Sequence, residues 1–387
     1  MDNLKDVVLH LDHTVGRGGA EYALARTLAA NTAWSAIVAL PRGTTELGPF
    51  SVVEGHDRVE LAFIGPPQSS GASSARSPLA LARYVAMVLR MAVALRRSPE
   101  FRRASLVHAN TSRAGIYGAL ACLGSGKPFV VHLRDIVDVD SLGKVGLVAF
   151  RRFVLPAASG VIANSHTTLA SAQPYISRRA LRSVIPSAAG ITSRRSSEEP
   201  AVAPEVSSVG MLARLAPWKG QDLLLRAFRD VFGGTSTRLS LAGAPEFGSE
   251  GYAAELHDVA GRLGIADQVD FLGHVEDVFT WVGRQDICVQ ASVRPEPLGQ
   301  NVLQYLSQGR PTIVTSVGGP SEWIRDGHNG VTFEMGDRDS LARALRRLVP
   351  RQARAAVASG AAATEGLWSD EDVAQAHATF FTSVAER

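Results

Sequence analysis

Ser292-Val-Arg-Pro-Glu-Pro-Leu-Gly-Gln-Asn-Val-Leu-Gln304 is the stretch from which this chain is best read. Just upstream, Asp286-Ile-Cys-Val-Gln-Ala291 is a short apolar run with polar neighbours, which reads as a buried strand. Just downstream, Asn301, Val302, Leu303, Tyr305 and Leu306 begin a helical pattern. Glu296 sits between prolines in the turn, and Gly299 stands where backbone can come close to a ligand. Strand, glycine-bearing turn and helix start together aim unpaired N–H groups and the helix dipole at an anion.

The rest of the chain is long enough to give that turn a second, separate partner domain. With 387 residues it exceeds one ordinary core, and 45% apolar against 20% charged residues is a globular balance. A net charge of +3 suits phosphorylated small molecules or an anionic surface, and no dense Lys/Arg block points to nucleic acid. Cys122 and Cys288 lie far apart in apolar segments and read as reduced and buried, as in a cytoplasmic protein. The opening Met-Asp-Asn-Leu-Lys-Asp carries no secretion signal. Leu79 to Leu95 is largely apolar but broken by Arg83 and Arg90. With Arg76 and Arg97 these recur every seven residues, on one helical face with the apolar residues opposite. A helix packed on a sheet with a solvated basic face is the preferred reading, and a helix lying on an anionic membrane is the other.

Strand and helix patterns alternate throughout. Val7–Leu11 reads as the first strand, followed by a glycine-rich turn, Asp12 to Glu21, and a helix from about Tyr22. Gly16, Gly18 and Gly19 do not have the spacing of a dinucleotide-binding loop. Further strands are expected at 36–40, 59–64, 106–108, 129–133 and 161–163, which argues for a parallel, doubly wound sheet. Polar groups gather at the strand ends: His108 and Asn110, then His132, Arg134 and Asp135, then Asn164 to His166. A lone histidine there is as often a satisfied structural group as a functional one. Pro66 to Pro78 reads as a mobile surface loop, and Thr192 to Pro204 as a linker. The expected layout is therefore a first domain over 1–190, a linker over 191–205 and a second domain over 206–369.

In the second half, a strand at 206–212 runs into Arg214 and Lys219 just before a helix, so that two cations and a dipole converge on one place. Two solvated surface cations are the plainer alternative. The segments 239–243, 269–273 and 312–322 repeat the strand-then-glycine pattern. The last segment, Asp370 to Arg387, is an amphipathic helix with Val373, Phe380, Phe381, Val384 and His377 on one face. It is expected to return to the first domain, although its own pattern does not choose between the two.

Taken together and in this order, these residues resemble a retaining glycosyltransferase of family 4, with the GT-B fold. Gly18-Gly-Ala-Glu21 is similar to that family's glycine loop, His132 to its strand-closing histidine and Asn164-Ser165 to its Asn-Ser element. Gly210, Arg214, Lys219 and Gly220 resemble its diphosphate signature, and Phe271-Leu-Gly273 the strand end beside the base. Ser292 with Glu296, and Gly318 to Glu322, resemble its two later glutamate motifs. There are two departures. Gln304 stands where the family has a second glutamate, and Val184 to Gly190 lacks the usual Asn-Gly-Val-Asp.

The resemblance implies an α/β chain of two Rossmann-like, doubly wound parallel-sheet domains facing a central cleft. It implies transfer of a hexose-type sugar from a UDP- or GDP-sugar to an acceptor hydroxyl, with retention and no cofactor. His132, Arg214, Lys219 and Glu296 would be catalytic. Gly18, Gly19, Gly210, Gly273, Leu298, Gly299, Gln300, Asn301 and Gln304 would hold the donor. His13, Glu21, His108, Asn110, Arg134 and Asp135 would face a sugar, lipid-linked or small-molecule acceptor. No metal is expected: of Asp138-Val-Asp140, Asp337-Arg-Asp339 and Asp370-Glu-Asp372, the last two read as helix starts and the first as a solvated loop. A non-catalytic nucleotide-sugar-binding subunit and a UDP-sugar epimerase of the same fold are the alternatives.

Overall fold

β1 (Val7–Leu11), β2 (Ser35–Leu40), β3 (Val59–Phe63), β4 (Leu106–Ala109), β5 (Phe129–Leu133), β6 (Gly160–Ala163) and β7 (Leu181–Val184) form one parallel sheet, ordered β3-β2-β1-β4-β5-β6-β7. The structure is a computed structural model that describes residues 7–68, 78–192, 202–245 and 249–387. Its contacts divide the chain into two units, Met1–Ser193 with Trp368–Arg387, and Arg194–Leu367. Arg76 and most of the Pro66–Pro78 loop and of the Thr192–Pro204 linker lie outside the described residues.

The first sheet is covered on both faces, as a parallel sheet of Val, Ile and Leu runs must be. Leu9, Leu11, Val107, Val131 and Leu133 meet one set of helices, which includes Pro78–Arg97 and Ser112–Cys122. Val8, Val38, Leu106, Val130 and Ile162 meet the other, formed by Gly19–Ala29 and the C-terminal helix Asp370–Ala385. That last helix starts at a capping box of Ser369 and Asp372. Phe380, Phe381 and Val384 enter the sheet core, and a Cβ on Gly160 would lie 2.8 Å from Val384 and 2.9 Å from Phe380. The absence of a side chain at Gly160 lets the helix approach β6.

The second unit repeats the plan. β8 (Ser208–Leu212), β9 (Arg238–Ala242), β10 (Val269–Gly273), β11 (Ile287–Val289), β12 (Thr312–Thr315) and β13 (Val331–Phe333) are ordered β10-β9-β8-β11-β12-β13. Strand order reverses between β1 and β4 in the first sheet and between β8 and β11 in the second. In open α/β sheets the crevice beyond the carboxyl ends of the strands at such a reversal is where ligands bind.

Three expectations change. β7 and β13 escape the apolar pattern because they are short edge strands with polar residues in them. Asp138 is the N-cap of the helix Val139–Ala149, accepting from Ser141 N, rather than part of a loop. In the helix Pro78–Arg97, Val88, Met91, Ala92 and Leu95 are buried, but Leu79, Val85, Leu89 and Val93 are exposed. These four apolar residues share the solvent side with Arg83 and Arg90 instead of lying opposite them.

Candidate functional site

In the second unit, the ends of β8 and β11 bring together groups that are far apart in sequence. Gly220 caps the helix Gln221–Phe232 at φ 80°, and a Cβ there would sit 2.0 Å from Ala291 O. Only glycine allows that approach, and it seats the Trp218–Lys219 turn against the Ser292 loop, where Val293 N donates to Trp218 O at 2.9 Å. Lys219 Nζ then pairs with Glu296 Oε1. The other carboxylate oxygen accepts from Ser292 Oγ at 2.7 Å and from Gln290 Nε2 at 2.8 Å. Burial opposes the ionised form of Glu296, but Lys219, Ser292 and Gln290 outweigh it and hold the carboxyl below its ordinary range. Burial, opposed by Glu296 and assisted by Arg214 and Arg294, brings Lys219 below the ordinary lysine value of 10.5.

Cations outnumber carboxylates in this cluster. Lys219 Nζ lies 4.1 Å, Arg294 Cζ 4.2 Å and Arg214 Cζ 5.9 Å from the Trp218 ring centroid. Beside them Gly299, at φ 73°, caps the helix Gln300–Ser307 without a side-chain cap bond, which leaves the helix dipole directed at the same turn. The Gly318-Gly319 loop packs on this turn, because a Cβ on Gly319 would lie 2.1 Å from Pro297 O and one on Gly318 2.8 Å from Glu296 N. The arrangement is suited to holding a dianionic group.

Some residues expected to bind the donor serve the fold instead. Gly210 is buried within β8, where a Cβ would lie 2.6 Å from the Gln285 side chain, so its smallness serves packing. Asn301 Nδ2 donates to Leu212 O at 2.9 Å, and Tyr305 OH accepts from Leu212 N at 2.7 Å, so both tie the helix to the end of β8. Leu298 and Gln304 are buried, Gln300 is half-buried, and Gly273 ends the edge strand β10 at φ 65°. Sequence reasoning missed Trp218, Arg294 and Gln290. Arg294 two places before Glu296 was a usable signal, and the other two become visible only from contacts.

In the first unit, the polar residues expected at the strand ends separate into two layers. His132 and His108 belong to the inner one, a correction to their expected role as ligand-facing groups. Strand alternation turns both toward the C-terminal helix, one step inside the sheet from Arg134 and Asn110. His10 Nδ1 and His108 Nδ1 are 2.9 Å apart, Trp34 Nε1 donates to His10 Nε2 at 3.1 Å, and the His132 and His377 rings are 5.4 Å apart. His132 is 0% exposed, and burial, followed by Arg134 and the neighbouring imidazoles, holds it well below the ordinary histidine value.

The outer layer lies beyond β1 and β4. Asn110 Nδ2 donates to Asp12 Oδ2 at 2.7 Å across the reversal, and its Oδ1 accepts from Arg134 at 2.9 and 3.1 Å. Arg134 also donates to Ser187 Oγ at 2.8 Å, and Asn164 Nδ2 to Arg134 O at 3.2 Å. His13 Nδ1 is 2.8 Å from Thr111 Oγ1, and burial, then Arg113, lowers its pKa to about 3. Glu21 is buried above Gly18, where a Cβ would lie 2.2 Å from its Oε2; Gly19 is the first residue of the helix, and Asp135 is exposed. Gly18 and Gly19, expected with the donor set, thus belong to this first-unit layer. Asp12, which closes β1, was not singled out from sequence.

Comparison with known proteins follows the same division. Residues 22–188 match the family described as Glycosyltransferase Family 4, and residues 206–350 match Glycosyl transferases group 1. The lipopolysaccharide core biosynthesis glycosyltransferase LpsE of Rhizobium meliloti is 34% identical over 152 residues, 39% of this chain and 41% of that protein. A D-inositol 3-phosphate glycosyltransferase of Stackebrandtia nassauensis is 32% identical over 174 residues, 42% of this chain and 38% of that protein. Each alignment thus spans less than half of the relative. Anabaena Alr3699/HepE, solved in complex with UDP-glucose, superposes with a TM-score of 0.77 at 26% identity, covering 97% of this chain and 99% of that one.

Proposed function

This chain belongs to glycosyltransferase family 4, with the GT-B fold, and we propose that it transfers a hexose from a nucleotide diphosphate sugar to an acceptor hydroxyl with retention. The observation that carries the reading is the cation cluster of Arg214, Lys219 and Arg294 around Trp218, beside Glu296 and the N-terminus of the helix that Gly299 caps. Breaking the bond between the anomeric carbon and the phosphate oxygen leaves negative charge on the diphosphate, and fixed cations and N–H groups stabilise it as it forms. These groups supply the charge without a metal. Glu296, anchored by Ser292 and Gln290, is placed to accept hydrogen bonds from sugar hydroxyls. A UDP-sugar donor is favoured by the relative that binds UDP-glucose.

No helix among the described residues is long and apolar enough to cross a membrane. The exposed Leu79, Val85, Leu89 and Val93 beside Arg83 and Arg90 support a protein that rests on an anionic membrane surface, where a lipid-linked acceptor would be presented.

A thermal-shift screen of UDP, GDP and dTDP, then mass spectrometry of products from UDP- and GDP-sugars, tests the reading; no nucleotide-dependent shift and no transfer or donor hydrolysis would sink it. Isothermal titration should show UDP affinity falling as pH rises, beginning below the lysine value of 10.5, because Lys219 loses its charge early. An affinity unchanged up to that value would remove Lys219 from the site. Gln304→Glu should change turnover little, since an amide carbonyl still accepts a ribose hydrogen bond. A large gain in turnover would instead mark this chain as a degenerate subunit.

A further inference from the structure

We propose that an arginine-lined cleft in the second unit, remote from the donor turn, is a separate binding site for a small molecule bearing two or more phosphate groups. The inference does not depend on the transfer reaction above.

The cleft lies at the far end of a helix that starts in the donor turn. Gln221–Phe232 begins at Gly220, next to Lys219, and its 12 residues end at Gly233. At 1.5 Å per residue that helix carries the chain about 18 Å from the Lys219 turn. There Arg229, Asp230, Gly233 and Gly234 form one wall of a cavity of about 640 Å³. The turn 263–265, which follows the helix Glu250–Arg262, forms the second wall. Arg338, Asp339, Arg343 and Arg346, from the helix Arg338–Arg347, form the third. A cavity of this volume is of the size that small ligands occupy.

Four guanidinium groups and two carboxylates line the space, which leaves it a surplus of positive charge. Asp230 ties the two charged walls together. Its Oδ2 lies 3.3 Å from Arg338 Nε, its Oδ1 lies 3.6 Å from Arg229 Nη1, and its backbone oxygen accepts from Arg346 Nη2 at 3.1 Å. Arg338 also donates to Asp339 Oδ1 at 3.1 and 3.2 Å. Arg338 and Arg346 are thereby held in place, and each keeps N–H groups to spare, since a guanidinium has five. Among the described residues, the guanidinium groups of Arg229 and Arg343 donate no hydrogen bond. Their ion-pair distances are 3.6 Å to Asp230 and 4.0 Å to Asp337.

Helix ends explain only half of this charge. Arg229 and Arg346 stand in the last turns of their helices, where a cation offsets the dipole. Arg338 is instead the first residue of its helix, the end at which the dipole repels a cation, and Arg343 lies in the middle of the same helix.

The geometry also narrows the class of ligand. A planar carboxylate engages one guanidinium fork, whereas the oxygens of a phosphate point in several directions and accept from arginines on different elements at once. The surplus charge and the width of the cavity suit more than one such group. A concave space walled on three sides admits a small molecule and excludes a flat membrane surface. The side chains of Arg229, Arg338 and Arg343 are 50–63% exposed, so a ligand reaches them directly and salt weakens the attraction.

Isothermal titration of the full chain with tripolyphosphate and pyrophosphate, at an ionic strength of about 0.15 M, tests this. The donor turn also attracts phosphates, so wild type is compared with Lys219→Ala and with Arg229→Ala, Arg343→Ala and the double variant of the last two. Tripolyphosphate binding should persist in Lys219→Ala. Arg229→Ala and Arg343→Ala should each weaken it roughly three- to tenfold, and the double variant more than either. Sulfate and citrate should bind at least about tenfold more weakly. Hydrogen exchange should show protection by tripolyphosphate at 229–234 and 338–346. Arg343 makes no bond shorter than its 4.0 Å ion pair, so Arg343→Ala should keep the wild-type melting temperature.

Tripolyphosphate binding that is lost in Lys219→Ala, or unchanged in the double variant, would overturn the proposal, because the donor turn alone would then take the ligand. Absence of protection in both segments would overturn it too. Sulfate or citrate binding as tightly as tripolyphosphate would reduce the cleft to a general cationic surface. Sedimentation with phosphatidylglycerol vesicles that Arg343→Ala abolishes, without tripolyphosphate binding, would replace the proposal with a membrane contact.

Discussion

Lys219→Ala is expected to lower kcat for sugar transfer by roughly 10²–10³, with a smaller change in KM for the donor. Lys219 Nζ is already held in place in the free protein, paired with Glu296 and lying 4.1 Å from the Trp218 centroid. Its charge therefore needs little reorganisation when the diphosphate becomes more negative, and its advantage is greatest in the transition state. Arg214 and Arg294 remain in the variant and supply ground-state attraction, which is why KM should move less than kcat. Breaking the pair also leaves Glu296 buried without its cation, and removing one partner of a buried ion pair typically costs about 3–5 kcal/mol. Ser292 and Gln290 still donate to that carboxylate, so the loss should fall at or below the low end. Steady-state kinetics with a chemical-denaturation curve separates the two effects. Undiminished kcat in a folded Lys219→Ala protein would remove this lysine from catalysis.

The second large effect is on stability. Phe381→Ala is expected to destabilise the first unit by about 3–5 kcal/mol, a large part of the 5–15 kcal/mol that usually holds a domain together. Phe381 is 2% exposed, and its ring centroid lies 5.4 Å from His108, 5.5 Å from Trp34, 5.7 Å from His377 and 5.9 Å from His10. It seals a cluster of imidazoles that burial keeps neutral, His10 at about 3 and His377 at about 4.

These histidines also give stability a pH dependence of definite sign. They take up protons near 6.5 when unfolded and much lower when folded. The unfolded state thus binds more protons, and stability present above 6.5 is lost as pH falls below it, by about 1.4 kcal/mol per pH unit for each such histidine. Thermal melts of wild type and Phe381→Ala in neutral and mildly acidic buffers check both points. A wild-type midpoint that does not drop on acidification would mean that the cluster is not protected as the packing shows.

Much of this was legible locally. Runs such as Val7–Leu11 and Phe129–Leu133 carry their own evidence, because a strand buried on both faces must be apolar throughout. Arg214, Lys219 and Glu296 could be picked out because each sits in a turn between a strand and a helix, and the structure brings Lys219 and Glu296 into contact. His132 and Gly210 could not be assigned correctly from the same information. Whether a strand-end histidine faces outward or toward a covering helix depends on strand phase and on where residues 370–385 pack, more than 200 positions later. Whether a glycine admits a ligand or a neighbour depends on which side chain lies opposite it, here Gln285.

Periodicity and turn chemistry act over a few residues, and they were enough to specify two doubly wound sheets and a cationic turn before a helix. The pairings that make the sites act over long separations. Lys219 meets Glu296 across 77 positions, and Asp12 meets Asn110 across 98. No local pattern encodes such a pairing. It arises when parallel strands align their carboxyl ends, and that alignment, with the burial it imposes, decides which polar residues are held for chemistry and which simply complete the core.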